Sequence, residues 1–373
     1  GRGRAVTTSP EHPTPRRNAT PEIVETWNGP GRRDGVLTRV LPRHNGAHPV
    51  PGSRSGFEHW YFDAHLDDGH TVIGFLNLRR PEEPAFVARP SVEILIYAPD
   101  GTRRQVFARY RRRDARAAIG ECDVRVGRSH AHAEFPADSL PIHHVYLSEE
   151  DVTVDLRFHN ELPGWMPGEG ETLFGHTDVF GWVVPAPRAR VEGTVTVGGR
   201  TRTVTGRGYA DHNWGAGDMK RVIDRWHWGR LYDDDYSLLY ALVRTQDRWA
   251  GHESRPLMLA RGGEIVLSTG EAEVTEGPAV FDATADRTYP EWLRIVVPDV
   301  VDLRLTVTSV VHAHNLLTDV PVAGHPAFRP LLNRMVGHPG YFRFSSTFEL
   351  TVTLDGVTET RTGSTLHELV ALT

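Results

Sequence analysis

Cysteine is almost absent from this chain: Cys122 is the only one among 373 residues. A lone thiol closes no internal disulfide, so the core must hold the fold, and a reducing, cytoplasmic setting is expected. Lysine is equally scarce. Of 42 basic residues only Lys220 is not an arginine, which reads as the codon usage of a GC-rich genome and leaves a single candidate for Schiff-base chemistry. No apolar run reaches about 18 residues, so no membrane-spanning helix is expected. Positive charge is not in excess: the formal net charge is −6, which gives no support to a nucleic-acid partner. There is no Gly-x-Ser-x-Gly elbow, no HExxH helix and no glycine-rich phosphate loop of standard spacing. Acyl transfer, phosphoryl transfer and dinucleotide redox chemistry are therefore disfavoured. An initiator methionine and an apolar leader are also missing, so the start reads as a tag remnant or trimmed terminus.

What is present is turn-rich β structure. Glycine and proline, 36 and 26 residues, make up about 17% of the chain against roughly 12% in average usage. Residues 57–66, 71–78, 92–98, 152–158, 191–197, 236–243, 303–311 and 341–354 are rich in β-branched and aromatic side chains, the composition of strands. Between them stand hairpin signals: Asp67-Asp68-Gly69, Pro99-Asp100-Gly101, Gly198-Gly199, Gly262-Gly263 and Asp355-Gly356. Helical pattern is confined to 329–336 and a turn at 219–224. Residues 1–33, rich in proline and arginine with Ile23, Val24 and Trp27 as the only anchors, read as a flexible tail. A weak internal echo divides the remainder. Trp60-Tyr61-Phe62 precedes Asp67-Asp68-Gly69 as Trp226-His227-Trp228 precedes Asp233-Asp234-Asp235, each before an apolar strand. The expectation is an all-β chain of two similar domains, 34–205 and 206–373.

Two segments concentrate chemistry. Gly206 to Gly215 brings Tyr209, Asp211, His212, Asn213 and Trp214 between glycines, with Trp226 and Trp228 shortly after. An Asx-type turn with Trp214 in the core is the plainer reading; the aromatic density favours a site. Glu58 to His65 forms the second segment. Strand alternation puts Glu58, Trp60, Phe62 and Ala64 on one face and His59, Tyr61, Asp63 and His65 on the other. A glutamate on an aromatic face needs a partner or a cavity. His130-Ala131-His132 with Glu134, and His312-Ala313-His314, each place two imidazoles on one face, but neither completes a ligand set, so no metal is expected.

These motifs carry a resemblance. Glu58-His59-Trp60-Tyr61-Phe62-Asp63-Ala64 followed by Leu66-Asp67-Asp68-Gly69, the central Gly208-Tyr209-x-Asp211-His212-Asn213-Trp214-Gly215, and Tyr341-x-Arg343-Phe344 with Gly356 and 363–368 are similar to the lipocalin-like superfamily of AttH proteins and carotenoid hydratases. Diels–Alderases and some terpenoid cyclases of natural-product pathways belong to the same superfamily. The resemblance implies two lipocalin-like β-barrel or sandwich domains and an apolar pocket lined from both. In hydratases a His-x-Trp works with a Tyr-x-Asp. Here the first is His212 and Trp214, and the second is matched by Tyr240-Ala241-Leu242, with leucine where the acid belongs.

Alkene hydration needs a strong acid, whereas a pericyclic closure needs a folding pocket and a donor to an activating carbonyl. The expected function is therefore a cofactor-free cyclase of Diels–Alder type acting on a hydrophobic polyene, with a polyketide-type intermediate as the natural candidate. His212, Asn213 or Tyr240 would orient the carbonyl. Trp214, Trp226, Trp228, Trp60, Tyr209 and Tyr341 would shape the pocket. Asp211, Glu58 and Asp63 stand as structural groups or alternative acids. A carotenoid or isoprenoid hydratase, a cation-type cyclase and a non-catalytic carrier of a hydrophobic ligand remain the other readings.

Overall fold

In the computed structural model the described residues are 22–25, 39–49, 56–80, 88–315 and 340–372. Among them the chain forms two large antiparallel sheets, of 13 and 10 strands, and a small ribbon of Ala279–Asp282 with Arg287–Pro290. Each large sheet curls into a half barrel, the all-β, two-unit lipocalin-like architecture. Helix is limited to short 3-10 turns such as Met219–Arg221; the helical pattern at 329–336 lies outside the described residues. The hairpin signals act as read. Gly198 and Gly199 have φ of 57° and 76°, and Asp355 and Gly356 have 53° and 78°, the double left-handed turn whose twist matches its flanking strands.

The internal echo has a topological counterpart. Gly56–Leu66 forms a hairpin with Thr71–Arg79 and pairs on its other edge with Arg200–Ala216. Ile223–Tyr232 likewise forms a hairpin with Tyr236–Thr245 and pairs on its other edge with Val357–Ala371. In each sheet an early strand is closed against the last one, which hides two edges that would otherwise template aggregation. The first sheet ends at Ala216 and the second begins at Ile223. Within the stretch read as a tail, Ile23–Glu25 pairs with Glu171–Phe174; residues 1–21 and 26–33 lie outside the described residues.

Alternation sorts side chains into three apolar layers. Trp60, Phe62, Ile94, Leu147 and Phe158 fill the first sheet, and Leu238, Tyr240, Leu259, Leu303 and Phe348 fill the second. The third layer joins them: Tyr61, Ile73, Trp165, Trp182 and Tyr209 meet Trp228, Leu239, Ala241 and Met258. Full burial of each aliphatic or aromatic side chain contributes about 1.5–3 kcal/mol, so the joint between sheets is itself a core.

Two core histidines make a pH prediction. Burial holds His143 down to about 4 and His367 down to about 3, against an ordinary value of 6.5. Between these limits each ring binds more protons in the unfolded chain than in the folded one, so their contribution to stability is complete above about pH 6.5 and falls as pH drops toward 4. Urea midpoints measured across that window should decline steadily with acidification. A flat profile would show that these rings are not held neutral.

Candidate functional site

The two chemistry-bearing segments are partners in one antiparallel ladder. Arg200–Ala216 pairs with Gly56–Leu66 so that His212 faces Trp60, Trp214 faces Glu58, Asp211 faces Tyr61 and Tyr209 faces Asp63. Cross-strand partners share a face, so this ribbon presents two separate constellations, one on each side.

On the side toward the first sheet's interior, His212 is fully buried and its Nε2 lies 2.9 Å from Glu58 Oε1. The same oxygen accepts the His48 backbone N–H at 2.8 Å. Burial would raise Glu58, but hydrogen bonding by His212 and His48 brings it down to about 2, while burial lowers His212. The pair is therefore a neutral imidazole on a carboxylate. Trp60 stacks on His212 at 4.1 Å and Trp214 on His48 at 3.7 Å. Trp214 lies flat against Gly181, where any Cβ would come within 2.0 Å of the indole. Only glycine fits there.

The opposite side faces the second sheet. Tyr209 OH donates to Asp211 Oδ2 at 2.8 Å, and Trp182 Nε1 approaches the same oxygen at 3.3 Å. Asp211 Oδ1 is buried without a hydrogen-bond partner among the described residues. Burial pushes this carboxyl up to about 7. Two residues along, Tyr61 OH donates to Asp63 at 2.7 Å, and Arg230 of the second sheet donates to its other oxygen. Burial alone would raise Asp63, but the Arg230 guanidinium overrides it and holds the carboxyl below its ordinary value. The same guanidinium lies 4.5 Å over the Tyr209 ring and 5.1 Å from that of Trp228. A second buried pair follows: Glu368 accepts from Arg343 at 2.9 Å and from Tyr341 OH at 2.7 Å. Burial raises Glu368, and Arg343 and Tyr341 only partly reverse it.

Beside these pairs lies a cavity of about 500 Å³, walled by both sheets: His65 and Arg207 from the first, Trp228, Arg230, Arg343 and Glu368 from the second. Burial holds His65 neutral, down to about 4. The wall differs from the apolar pocket expected from sequence. Trp228 and Tyr232 supply aromatic surface, but arginines and the carboxylates Asp67, Glu161 and Glu368 make the wall strongly polar, and Arg207, 5.2 Å from the Tyr232 ring, has no ion pair among the described residues.

The expected carbonyl-orienting set does not converge. His212 points into the first sheet; Asn213 Nδ2 donates to the Gly181 carbonyl at 3.3 Å; Tyr240 sits in the second sheet's core with its hydroxyl against Gly229. Of the expected pocket residues, Trp228 lines the cavity, while Tyr209 and Tyr341 lie just behind it. Trp60 and Trp214 belong to the His212 side, and Trp226 packs with Phe57, Val222 and Ile223. Arg230, Arg343, Glu368, His65 and Trp182 were missed. A signal existed: Arg230 follows Trp226 and Trp228 at strand spacing, as Arg343 follows Tyr341, so each puts a charge on an aromatic face, the argument applied to Glu58 alone. The histidine pairs find ordinary partners. His132 stacks on His144, which contacts Glu134 at 2.8 Å, and His312 hydrogen-bonds Tyr97 at 2.9 Å.

The AttH-like family model matches residues 36–322. The chain belongs to the AttH-like family. Solved structures share this family fold. The AttH protein of Nitrosomonas europaea superposes with a TM-score of 0.60 at 17% identity, covering 92% of this chain and 98% of that one. CghA with Sch210972 gives 0.58 at 16%, over 91% and 97%. Kievitone hydratase from Nectria haematococca gives 0.57 at 16%, over 95% and 98%. Among curated sequences, hydroxyneurosporene dehydrogenase of Chlorobaculum tepidum is 37% identical over 68 residues, 17% of this chain and 18% of its own. The ceramide-binding protein svf1 of Aspergillus fumigatus is 26% identical over 152 residues, 39% of this chain and 38% of its own. The chain thus matches well under half the length of these curated relatives. No helix among the described residues is long and apolar enough to cross a membrane.

Proposed function

We propose that this AttH-like chain is a small-molecule enzyme that seats an apolar, unsaturated substrate by an oxygenated head in the inter-sheet cavity and catalyses its intramolecular cyclisation. The observation that carries this reading is the cavity wall itself, in which the Trp228 ring adjoins two buried guanidinium groups, each held by its own carboxylate. An aromatic wall folds a flexible chain and removes entropy before bond formation. Donors fixed in advance by Asp63 and Glu368 polarise a carbonyl without reorganising at the moment of reaction. Neither the one cysteine nor the one lysine of the chain lines the cavity, and the thiol of Cys122 is pushed by burial up to about 12, so thiolate and Schiff-base chemistry have no agent there. Arg207, without an ion pair among the described residues, favours an acidic or enolised head. One relative is consistent with an apolar ligand: svf1 is named for ceramide binding.

Hydration is the second reading, and a specific observation favours it: Asp211, already an alternative acid from sequence, is half protonated near neutral pH, and Glu368, raised by burial, is a second proton donor. One experiment separates the readings. A linear polyene with a terminal 1,3-dicarbonyl head is incubated with the protein in oxygen-18 water. Cyclisation yields an isomer with shortened conjugation and no added water, and activity survives Asp211→Asn. Gain of one water with labelled oxygen on a former alkene carbon, lost in Asp211→Asn or Glu368→Gln, would assign hydration instead; recovery of bound polyene unchanged would mark a carrier. Arg207→Gln should weaken binding of cis-parinaric acid about tenfold, the scale of one charge-assisted hydrogen bond, and leave its methyl ester unaffected.

A further inference from the structure

On the other side of the same ribbon, away from the cavity, we propose a divalent metal site formed by His48, Glu58 and His212, with zinc as the best-fitting ion. The three donor atoms lie within 4.8 Å of one another. His212 Nε2 is 2.9 Å and His48 Nδ1 3.8 Å from Glu58 Oε1. Tetrahedral zinc with bonds of about 2.0–2.2 Å places its ligands about 3.3–3.6 Å apart, so the two separations from Glu58 lie on either side of the requirement, and the two imidazole nitrogens lie within 4.8 Å of each other. Two imidazoles and one carboxylate are a recurrent three-ligand zinc set that leaves a fourth position open.

A purely structural histidine–glutamate bond explains His212 and Glu58 but not His48. That ring is clamped face to face on Trp214, with an interplanar angle of 4°. Its Nδ1 is buried, has no hydrogen-bond partner among the described residues and lies 3.8 Å from the Glu58 carboxylate. A buried polar nitrogen without a partner is costly; a bound cation gives it one. The His212 ring is fixed in the same manner by Trp60, at 17°, so both rings have fixed orientations. Neutral imidazole and ionised carboxylate are the forms that ligate metal. The cation would join residues 39–49, which carry His48, to the two central strands of the first sheet. The cluster of His132, Glu134 and His144 also groups three donors, but Glu134 is exposed and the imidazoles stack on one another, so it serves as the control.

The full chain, dialysed against chelator and then into chelator-free buffer, is titrated with Co2+ alone and then with Zn2+. The expected result is one equivalent of cobalt with tetrahedral visible bands, displaced by zinc. His48→Phe keeps the ring stack on Trp214 but offers no nitrogen, and should lower affinity at least about 100-fold, beyond the 10–100-fold typical of a lost outer-shell partner, with an unchanged circular dichroism spectrum. Glu58→Gln should do the same, and the double variant His132→Ala/His144→Ala should bind as the parent does. Failure to bind one equivalent, binding that persists in His48→Phe, or loss in the double variant would each overturn the assignment.

Discussion

Arg230→Met should lower the free energy of unfolding by about 3–5 kcal/mol, the cost of leaving a buried charge without its partner. Arg230 and Asp63 are both buried, at 7% and 1% exposure, and they join strands of different sheets. Removing the cation strands the Asp63 carboxylate against Tyr61 and the Tyr209 ring. An exposed ion pair contributes only about 0–1 kcal/mol, so the two situations are readily told apart by urea denaturation. The double variant Asp63→Asn/Arg230→Met removes both charges and should recover most of the loss, because the penalty lies in the unpaired charge more than in the absent attraction. A single variant that loses less than about 1 kcal/mol would mean that water reaches the pair, and that the cavity wall is not fixed as proposed.

The second large effect is expected at Trp228. Its ring lines the cavity, lies 5.2 Å from Tyr209 and 5.6 Å from Tyr61, and carries the Arg230 guanidinium over it. Trp228→Ala should lower kcat/KM on the dicarbonyl polyene about 100-fold, because a wall that no longer confines the chain returns its entropy to the barrier, and small misplacements cost rates of that order. Loss of a large buried ring also destabilises, by about 3–5 kcal/mol for full burial, so Trp228→Phe is the companion variant. It keeps an aromatic face and should retain most of the stability and an intermediate rate. Parental turnover in a folded Trp228→Ala protein would remove the cavity from the mechanism.

Much of the architecture was legible from local pattern. The alternation of Glu58, Trp60 and Phe62 against His59, Tyr61 and Asp63 placed each side chain on the correct face, and the Gly198-Gly199 and Asp355-Gly356 turns fell where two left-handed residues stand in sequence. The echo of Trp60 and Trp226 marked equivalent strands. What alternation could not supply was the identity of each face. In an ordinary antiparallel sheet one side is wet, but here Gly56–Leu66 and the 208–216 part of its partner strand are covered on both, by their own core and by the second sheet. Both faces therefore read as apolar with polar interruptions. His212 and Asp211, adjacent in the chain, read as one cluster in sequence, whereas strand geometry sends them into different layers.

The sequence by itself determined the strands, the turns, the family motifs and the scarcity of cysteine and lysine, because these follow from residue identity and from residue chemistry over a few positions. Only the tertiary structure decided which charges meet. Glu58 and His212 are 154 residues apart, and Asp63 and Arg230 are 167 apart. Such pairings are set by how two curled sheets dock, and docking is governed by the summed burial of a whole layer. No local pattern records it, so the cavity's arginines, the raised Asp211 carboxyl and the His48 donor emerged only when the sheets were brought together.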